Sequence, residues 1–222
     1  MAHAFSERFN LVPKGQVKPK DSLSCFTIGL NIKKKGKLIG KVTTWLGYVG
    51  FLTATNLIDN YTITINYRRT RDISFGGLVK NLYRTLTMSW PIGYLVRYII
   101  ESEHAIPTAE QHIEKCELIT PCYVTFYVPN KSTYIFTRDC DKIVDVRNKE
   151  LVQTNCDWDK TEPNILYSLE RVSFVKKVQS VIDGRSGWTI DEILGLLMQF
   201  PVMNEETIYV HYQFGDKYET MV

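Results

Sequence analysis

The sequence lacks several features that would define a function class. No window approaches the roughly 18 continuous apolar residues that a membrane-spanning helix needs, so no transmembrane segment is predicted. The opening residues, MAHAFSER, contain no apolar stretch of the kind found in signal peptides. No Pro-, Gly- or Ser-rich linker divides the 222 residues, and we therefore expect one domain over residues 1–222, with an irregular segment at 1–20.

Strong charge and metal-binding motifs are also lacking. A net charge of +3 with 23% charged residues is too mild to indicate a nucleic-acid partner. The five cysteines form no Cys-x-x-Cys pair and have no His at metal spacing, so neither a metal site nor another cofactor is predicted. In an oxidising compartment the odd count would leave at least one thiol unpaired.

The densest basic run, KKKGK at residues 33–37, lies between two strand-like segments and has a glycine inside it. This arrangement is typical of a solvated hairpin tip. The alternative interpretation is a patch for an anionic lipid surface.

Alternating apolar residues predict most of the strands. Phe26, Ile28, Leu30 and Ile32 recur at the period of a half-buried strand. Further strands are predicted at 38–45, 48–55, 61–67, 122–128, 134–138, 143–146, 150–154, 207–212 and 217–221.

Apolar residues at helical spacing predict helices at 78–86, 92–100, 108–116, 165–182 and 189–198. Capping boxes are predicted to start the helices at Thr108 and Thr189. Blocks of strands that alternate with blocks of helices indicate an α+β fold, in which helices cover two sheets.

One segment combines residue types that can carry chemistry. Residues 151–158, LVQTNCDW, take a predicted apolar strand into an Asn beside acidic and aromatic side chains. The amide of Asn155 could donate a hydrogen bond to a developing oxyanion. An Asn at a strand end can equally be a turn residue.

Further segments in the same order carry a family resemblance. They are LGYVGFLT at 46–53, SWPI at 89–92 with the helix that follows it to 101–103, YIFTRD at 134–139, QTN at 153–155 and TIY at 207–209. With them the chain resembles the family of acid ceramidase and N-acylethanolamine-hydrolysing acid amidase over nearly its whole length. The resemblance implies an N-terminal-nucleophile hydrolase with an αββα sandwich. It also implies a fatty-acyl amide lipid as substrate and a lysosomal or secretory location.

The resemblance makes Asn155 the oxyanion donor. It makes Arg171 a partial counterpart of a family arginine pair, although an exposed helix arginine is an alternative interpretation. Asn60 and Asn130 begin glycosylation sequons that fit a secretory route. The absence of a signal peptide leaves a cytoplasmic location open.

The chain also departs from the family pattern. Neither the nucleophile motif Cys-Thr-Ser-Ile nor the Arg-Asn-x-Asp motif can be read in it, and Tyr67 stands where the family has a Glu of the active-site network. We therefore expect the chain to be inactive alone, as an N-terminally truncated form of the sandwich. The alternative is a non-catalytic paralogue that serves as a lipid-binding or interaction module.

The resemblance implies further strands that precede the first strand predicted here, and no counterpart of them can be read in this sequence. Without them, an open sheet edge is predicted near residues 26–32 or 38–45. An open edge invites self-association or pairing with a partner chain.

We predict that Cys25 is not the family nucleophile, although CFTI at residues 25–28 vaguely resembles Cys-Thr-Ser-Ile. Leu46 follows Cys25 by only 21 positions, and VTT at 42–44 stands where Arg-Asn-x-Asp would be needed. Intact mass after incubation at acidic pH is expected to show no loss of residues 1–24. A shortened product whose terminal Cys25 reacts with a thiol-directed lipid probe would contradict this prediction.

Overall fold

The computed structural model of the protein describes residues 2–6, 26–68, 75–87, 89–148, 152–158, 166–184, 186–204, 207–214 and 217–221. In chain order the elements are β1 (Ala2–Ser6), β2 (Thr27–Lys34), β3 (Lys37–Trp45), β4 (Thr53–Asn56), β5 (Tyr61–Tyr67), α1 (Phe75–Leu86), α2 (Ile92–Glu101), α3 (Ile106–Lys115), β6 (Cys122–Val128), β7 (Ser132–Arg138), β8 (Ile143–Arg147), α4 (Ser168–Asp183), α5 (Ile190–Leu197), β9 (Thr207–Phe214) and β10 (Lys217–Met221).

Two antiparallel sheets form the framework. The larger has seven strands whose spatial order, β2 to β8, follows the chain, with α1, α2 and α3 inserted between β5 and β6. The smaller has the order β1-β9-β10. Because consecutive strands pair throughout the large sheet, the ends of β5 and β6 lie side by side at its centre.

The apolar face of the large sheet packs against α2. Four side chains of α2 are completely buried, namely Leu95, Val96, Ile99 and Ile100. They join Ala54, Ile63 and Phe126 of three adjacent strands in one core cluster. Residues at alternate positions of a strand share a face, which explains why the odd-numbered apolar residues of β5 reach this core.

The opposite face of the large sheet carries threonine. The hydroxyls of Thr55 and Thr62 on adjacent strands lie 2.8 Å apart, and Thr62 donates a hydrogen bond to the side-chain carbonyl of Gln213 on β9. All three residues are buried. This bond joins the two sheets, so the small sheet lies against the threonine face. Burial of the Thr55, Thr62 and Gln213 side chains is tolerated because they are hydrogen-bonded to one another.

The predicted strand and helix pattern is largely confirmed, although several element boundaries differ. The strand predicted from residue 48 begins at Thr53, because the preceding loop docks on α2, where Phe51 N–H donates to the Gly93 carbonyl at 2.8 Å. The capping box at Thr108 does not form, since α3 already begins at Ile106. The capping box at Thr189 is confirmed.

The irregular segment predicted at residues 1–20 is wrong at its start. Residues 2–6 form β1, which pairs antiparallel with β9 in a register that places Ala2 opposite Tyr212. The partner strand lies at the other end of the sequence, and local pattern cannot reveal such a pairing. Residues 7–20 lie outside the described part of the chain, as does Cys25.

The basic run forms the predicted hairpin tip, with positive φ at Lys35 and Gly36. Lys34 does not simply face solvent. Its ammonium lies 2.8 Å from a carboxylate oxygen of Glu103 and donates to the carbonyl of Glu101 at 3.2 Å. The hairpin is thus held against the C-terminal end of α2, where cations are favoured by the helix dipole.

The predicted open edge of the sheet is β2, whereas β3 is paired on both sides. Lys33 and Lys34 lie on this edge strand, and lysines are among the residues that limit edge-to-edge pairing. Self-association stays a prediction. None of the helices in the described ranges has the length and apolar character needed to span a bilayer.

We predict that protonation of His211 destabilises the fold at low pH. The side chain is 3% exposed, and burial lowers the pKa of His211 from 6.5 to about 4. A histidine with a depressed pKa in the folded state contributes stability above pH 6.5, and that contribution is lost as the pH falls toward 4. The loss amounts to up to about 3 kcal/mol.

Urea unfolding of wild type and of His211→Gln over this pH range measures the effect. The free energy of unfolding should fall more steeply with decreasing pH in the wild type than in the variant. Equal slopes would show that His211 titrates alike in the folded and unfolded states.

Candidate functional site

Asn155 lies in an irregular segment, residues 152–158, and is 6% exposed. The strand predicted at 150–154 is not formed over 152–154. The physical reason is local, because the side-chain amide of Gln153 donates to the carbonyls of Thr154 at 2.8 Å and Cys156 at 2.9 Å. These bonds fold the segment back on itself and take acceptors that a sheet ladder would use.

The amide of Asn155 is held from two sides. Its Nδ2 donates to the backbone carbonyl of Tyr67 at 2.9 Å, and its Oδ1 accepts from Nη2 of Arg171 at 2.8 Å. A guanidinium can only donate and a carbonyl can only accept, so both contacts require the same orientation of the amide. The orientation of the Asn155 side chain is therefore fixed, with the NH₂ group towards Tyr67 and Oδ1 towards Arg171.

Arg171 is buried, at 6% exposed, so the exposed-helix interpretation of this residue is wrong. The first turn of α4 brings Arg171 and Ser168 together at Asn155. The Ser168 hydroxyl accepts from the Asn155 backbone N–H at 3.2 Å and from Arg171 at 3.4 Å. A guanidinium on Oδ1 polarises the amide, which makes its N–H groups stronger donors.

Tyr67 contributes through its backbone. Its carbonyl accepts from Asn155, while its side chain is 57% exposed. The phenol at the position of the family Glu thus lies at the surface, and the next residue, Arg68, turns inward with 6% exposure.

Asp157 is the centre of a charged cluster that the sequence did not predict. Its Oδ1 accepts from Nε of Arg68 and from the Tyr123 hydroxyl, both at 2.7 Å, and its Oδ2 accepts from Nη2 of Arg68 at 2.9 Å. Hydrogen bonding to Asp157 raises the pKa of Arg68. Burial and the same carboxylate raise the pKa of Tyr123. The sequence did contain one indication of this cluster. Arg68 continues the alternation of Thr62, Thr64 and Asn66 along β5, so that it lies on the same face of the sheet as these polar residues.

The outer rim of the site is aromatic and basic. The indole of Trp158 contacts two cations, with the Arg147 guanidinium 4.7 Å and the Lys176 ammonium 4.5 Å from the ring centroid. A cavity of about 50 Å³ is lined here by Val152, Trp158, Leu169 and neighbouring residues. A cavity of this size is too small for an acyl chain, because ligand pockets usually measure about 300–1,000 Å³.

Three of the described thiols are not activated. Burial raises the pKa of Cys116 and Cys140, and raises that of Cys122 to about 12. The sequence suggested no partner for any histidine, but His112 Nδ1 lies 3.6 Å from the Cys116 sulfur. Because the Cys116 pKa is raised, this pair does not supply a thiolate nucleophile.

In the described ranges, no three or more His, Cys, Asp and Glu side chains are grouped so that they could hold a metal ion. Asn60 and Asn130 both lie in exposed turns between strands, with φ of 52° and 58°. Their side chains are accessible to a glycosylating enzyme, and glycosylation stays a proposal.

Comparison with known proteins identifies relatives of two kinds. No protein-family model matches the chain. An uncharacterized protein of Acanthamoeba polyphaga mimivirus is 45% identical over 208 residues, which cover 92% of this chain and 64% of that protein. Acid ceramidases of Bos taurus and Homo sapiens are 24% and 23% identical over 199 residues, which cover 85% of this chain and 48% of each enzyme. The chain thus spans about half to two thirds of the length of these relatives.

The structural comparison shows the fold. The N-acylethanolamine-hydrolyzing acid amidase ortholog of Caenorhabditis elegans matches with a TM-score of 0.73 and 17% identity, over 95% of this chain and 85% of that one. This match confirms the predicted fold class, the sandwich of N-terminal-nucleophile hydrolases. Sequence and structure together support the resemblance to acid ceramidase and N-acylethanolamine-hydrolysing acid amidase.

Proposed function

We propose that this protein acts on the amide bond of N-acylated lipids such as ceramides or N-acylethanolamines, and that Asn155 binds the carbonyl oxygen of that amide. The observation that carries the proposal is the fixed orientation of the buried Asn155 side chain, with Tyr67 on its nitrogen and Arg171 on its oxygen. When a nucleophile adds to an amide carbonyl, negative charge develops on the oxygen. A preorganised donor at that oxygen typically changes the rate by about 10²–10³.

Arg171 supports this role from behind the amide. The guanidinium does not need to reach the substrate, because its positive charge at Oδ1 draws electron density from the NH₂ group. The hydroxyl of Ser168 holds both Asn155 and Arg171. We therefore assign Asn155 as the oxyanion donor and Arg171 as its positioning partner.

The nucleophile is a separate matter. The family resemblance implies an N-terminal cysteine, whose thiolate adds to the carbonyl carbon and whose α-amino group supplies the base. Cys116, Cys122 and Cys140 do not meet this requirement because burial raises the pKa of each thiol. On this basis we assign the binding half of the reaction to Asn155 and Arg171 and exclude these three thiols as the nucleophile.

The second candidate function is a non-catalytic module that binds N-acyl lipids or a protein partner. The presence of Tyr67 where the family has a Glu favours it, since a phenol does not supply the carboxylate group of that Glu. The Asn155 geometry is common to both candidates, because a donor that binds an amide oxygen serves recognition as well as hydrolysis.

A lysosomal or secretory location is part of the proposal. It is supported by the family resemblance and by the exposed sequons at Asn60 and Asn130. The depressed pKa of His211 means that an acidic lumen would reduce stability. A cytoplasmic location is the alternative.

We predict that the 222-residue chain alone does not turn over a fluorogenic fatty amide at acidic or neutral pH. The same preparation should bind a non-hydrolysable N-acyl amide, and Asn155→Ala should weaken that binding, because it removes the donor to the carbonyl oxygen. Asn31→Ala, on the exposed edge strand β2, is the matched control. Turnover that is lost in Asn155→Ala but kept in Asn31→Ala would contradict the prediction that the chain alone is inactive.

A further prediction concerns Arg171. Replacement by Met leaves Oδ1 of Asn155 buried without its charged donor, which should lower the free energy of unfolding by about 1–3 kcal/mol. The variant should also bind the N-acyl amide more weakly. Lys177→Met, an exposed change on the same helix, should alter neither quantity. Equal urea midpoints for the two variants would show that Arg171 is not engaged with Asn155.

A further inference from the structure

We propose that Asp157 is a positioning residue, through which Arg68 and Tyr123 fix the place of the Asn155 amide. The inference rests on the proposed function of Asn155 and assigns a role to Asp157, Arg68 and Tyr123. It follows from two neighbouring attachments at the end of β5. Tyr67 binds Asn155, and the next residue, Arg68, binds Asp157.

The geometry is a double attachment. The Tyr67 carbonyl accepts from the Asn155 amide at 2.9 Å. The guanidinium of the next residue, Arg68, binds both carboxylate oxygens of Asp157, at 2.7 and 2.9 Å. A bidentate pair fixes direction as well as distance. The segment therefore cannot slide or rotate at Asn155 without breaking one of the two attachments.

Tyr123 supplies a third attachment from the neighbouring strand. Its hydroxyl donates to Oδ1 of Asp157 at 2.7 Å, and its backbone is paired with Asn66 in the register of β5 and β6. The side chain is 1% exposed, and so its own position is fixed by packing. Asp157 is thus anchored on two adjacent strands, which are the most regular part of the molecule near the site.

The need for such an anchor follows from the local backbone. Residues 152–158 belong to no strand or helix, so no ladder of backbone hydrogen bonds holds Asn155 in place. An oxyanion donor must be held within about 0.5 Å of its productive position. Side-chain attachments supply this precision here, and Asp157 accepts three of these hydrogen bonds.

The test compares Asp157→Asn and Tyr123→Phe with Tyr127→Phe in ¹⁵N-labelled protein. Asp157→Asn keeps the side-chain shape and removes the charge, while Tyr123→Phe removes one hydroxyl from a side chain that stays apolar. Tyr127 lies on the same face of the same strand as Tyr123 and serves as the control. The Asn155 side-chain amide signal is identified by its loss in Asn155→Asp.

We expect the Asn155 amide signal to shift or broaden in Asp157→Asn and in Tyr123→Phe, and to stay unchanged in Tyr127→Phe. Affinity for N-hexanoylethanolamine should fall about tenfold in Asp157→Asn, since small misplacements of a binding group are costly. Tyr123→Phe should show the same signal change with a smaller loss of stability. It keeps the proposal testable if Asp157→Asn does not fold.

An unmoved Asn155 signal in folded variants of lower stability would overturn the proposal, because the cluster would then be only structural. If wild type does not bind N-hexanoylethanolamine, the proposed function fails. The amide signal still decides whether Asp157 positions Asn155.

Discussion

The burial of α2 against the large sheet is the constraint on which the rest of the molecule depends. Leu95, Val96, Ile99 and Ile100 are all fully buried there, and burial of each such side chain is worth about 1.5–3 kcal/mol. This packing fixes the central strands in place. It also determines that their other face is left for polar groups, and the candidate site lies at the end of that face.

Charge in the site is tolerated because it is paired. Arg68 and Asp157 are both largely buried, with side chains 7% and 14% exposed, and an unpaired charge in such a place would be strongly unfavourable. The Tyr123 hydroxyl satisfies a further lone pair of the carboxylate. The opposite charges of Arg68 and Asp157 therefore compensate each other.

Periodic patterns predicted most of the fold, because strands and helices that pack on one core must repeat their apolar residues at fixed spacing. The failures have local or distant causes. Hydrogen bonds from the Gln153 side-chain amide keep residues 152–154 out of the predicted strand. Strand β1 forms only by pairing with β9 at the far end of the chain. In the site, a motif pointed to Asn155 and only weakly to Arg171. The contact of Arg68 with Asp157 joins residues 89 positions apart, and no spacing rule covers such a pair.

The use of a backbone carbonyl at Tyr67 has a consequence for how this position can change. Every amino acid presents the same carbonyl, so the bond to Asn155 is independent of the side chain at residue 67. The side chain itself is exposed and meets few packing demands. A carboxylate, a phenol or another group can therefore occupy this position while Asn155 remains held. The scaffold thus separates the side chain at residue 67 from the integrity of the site, and a single substitution there can change that side chain without releasing Asn155.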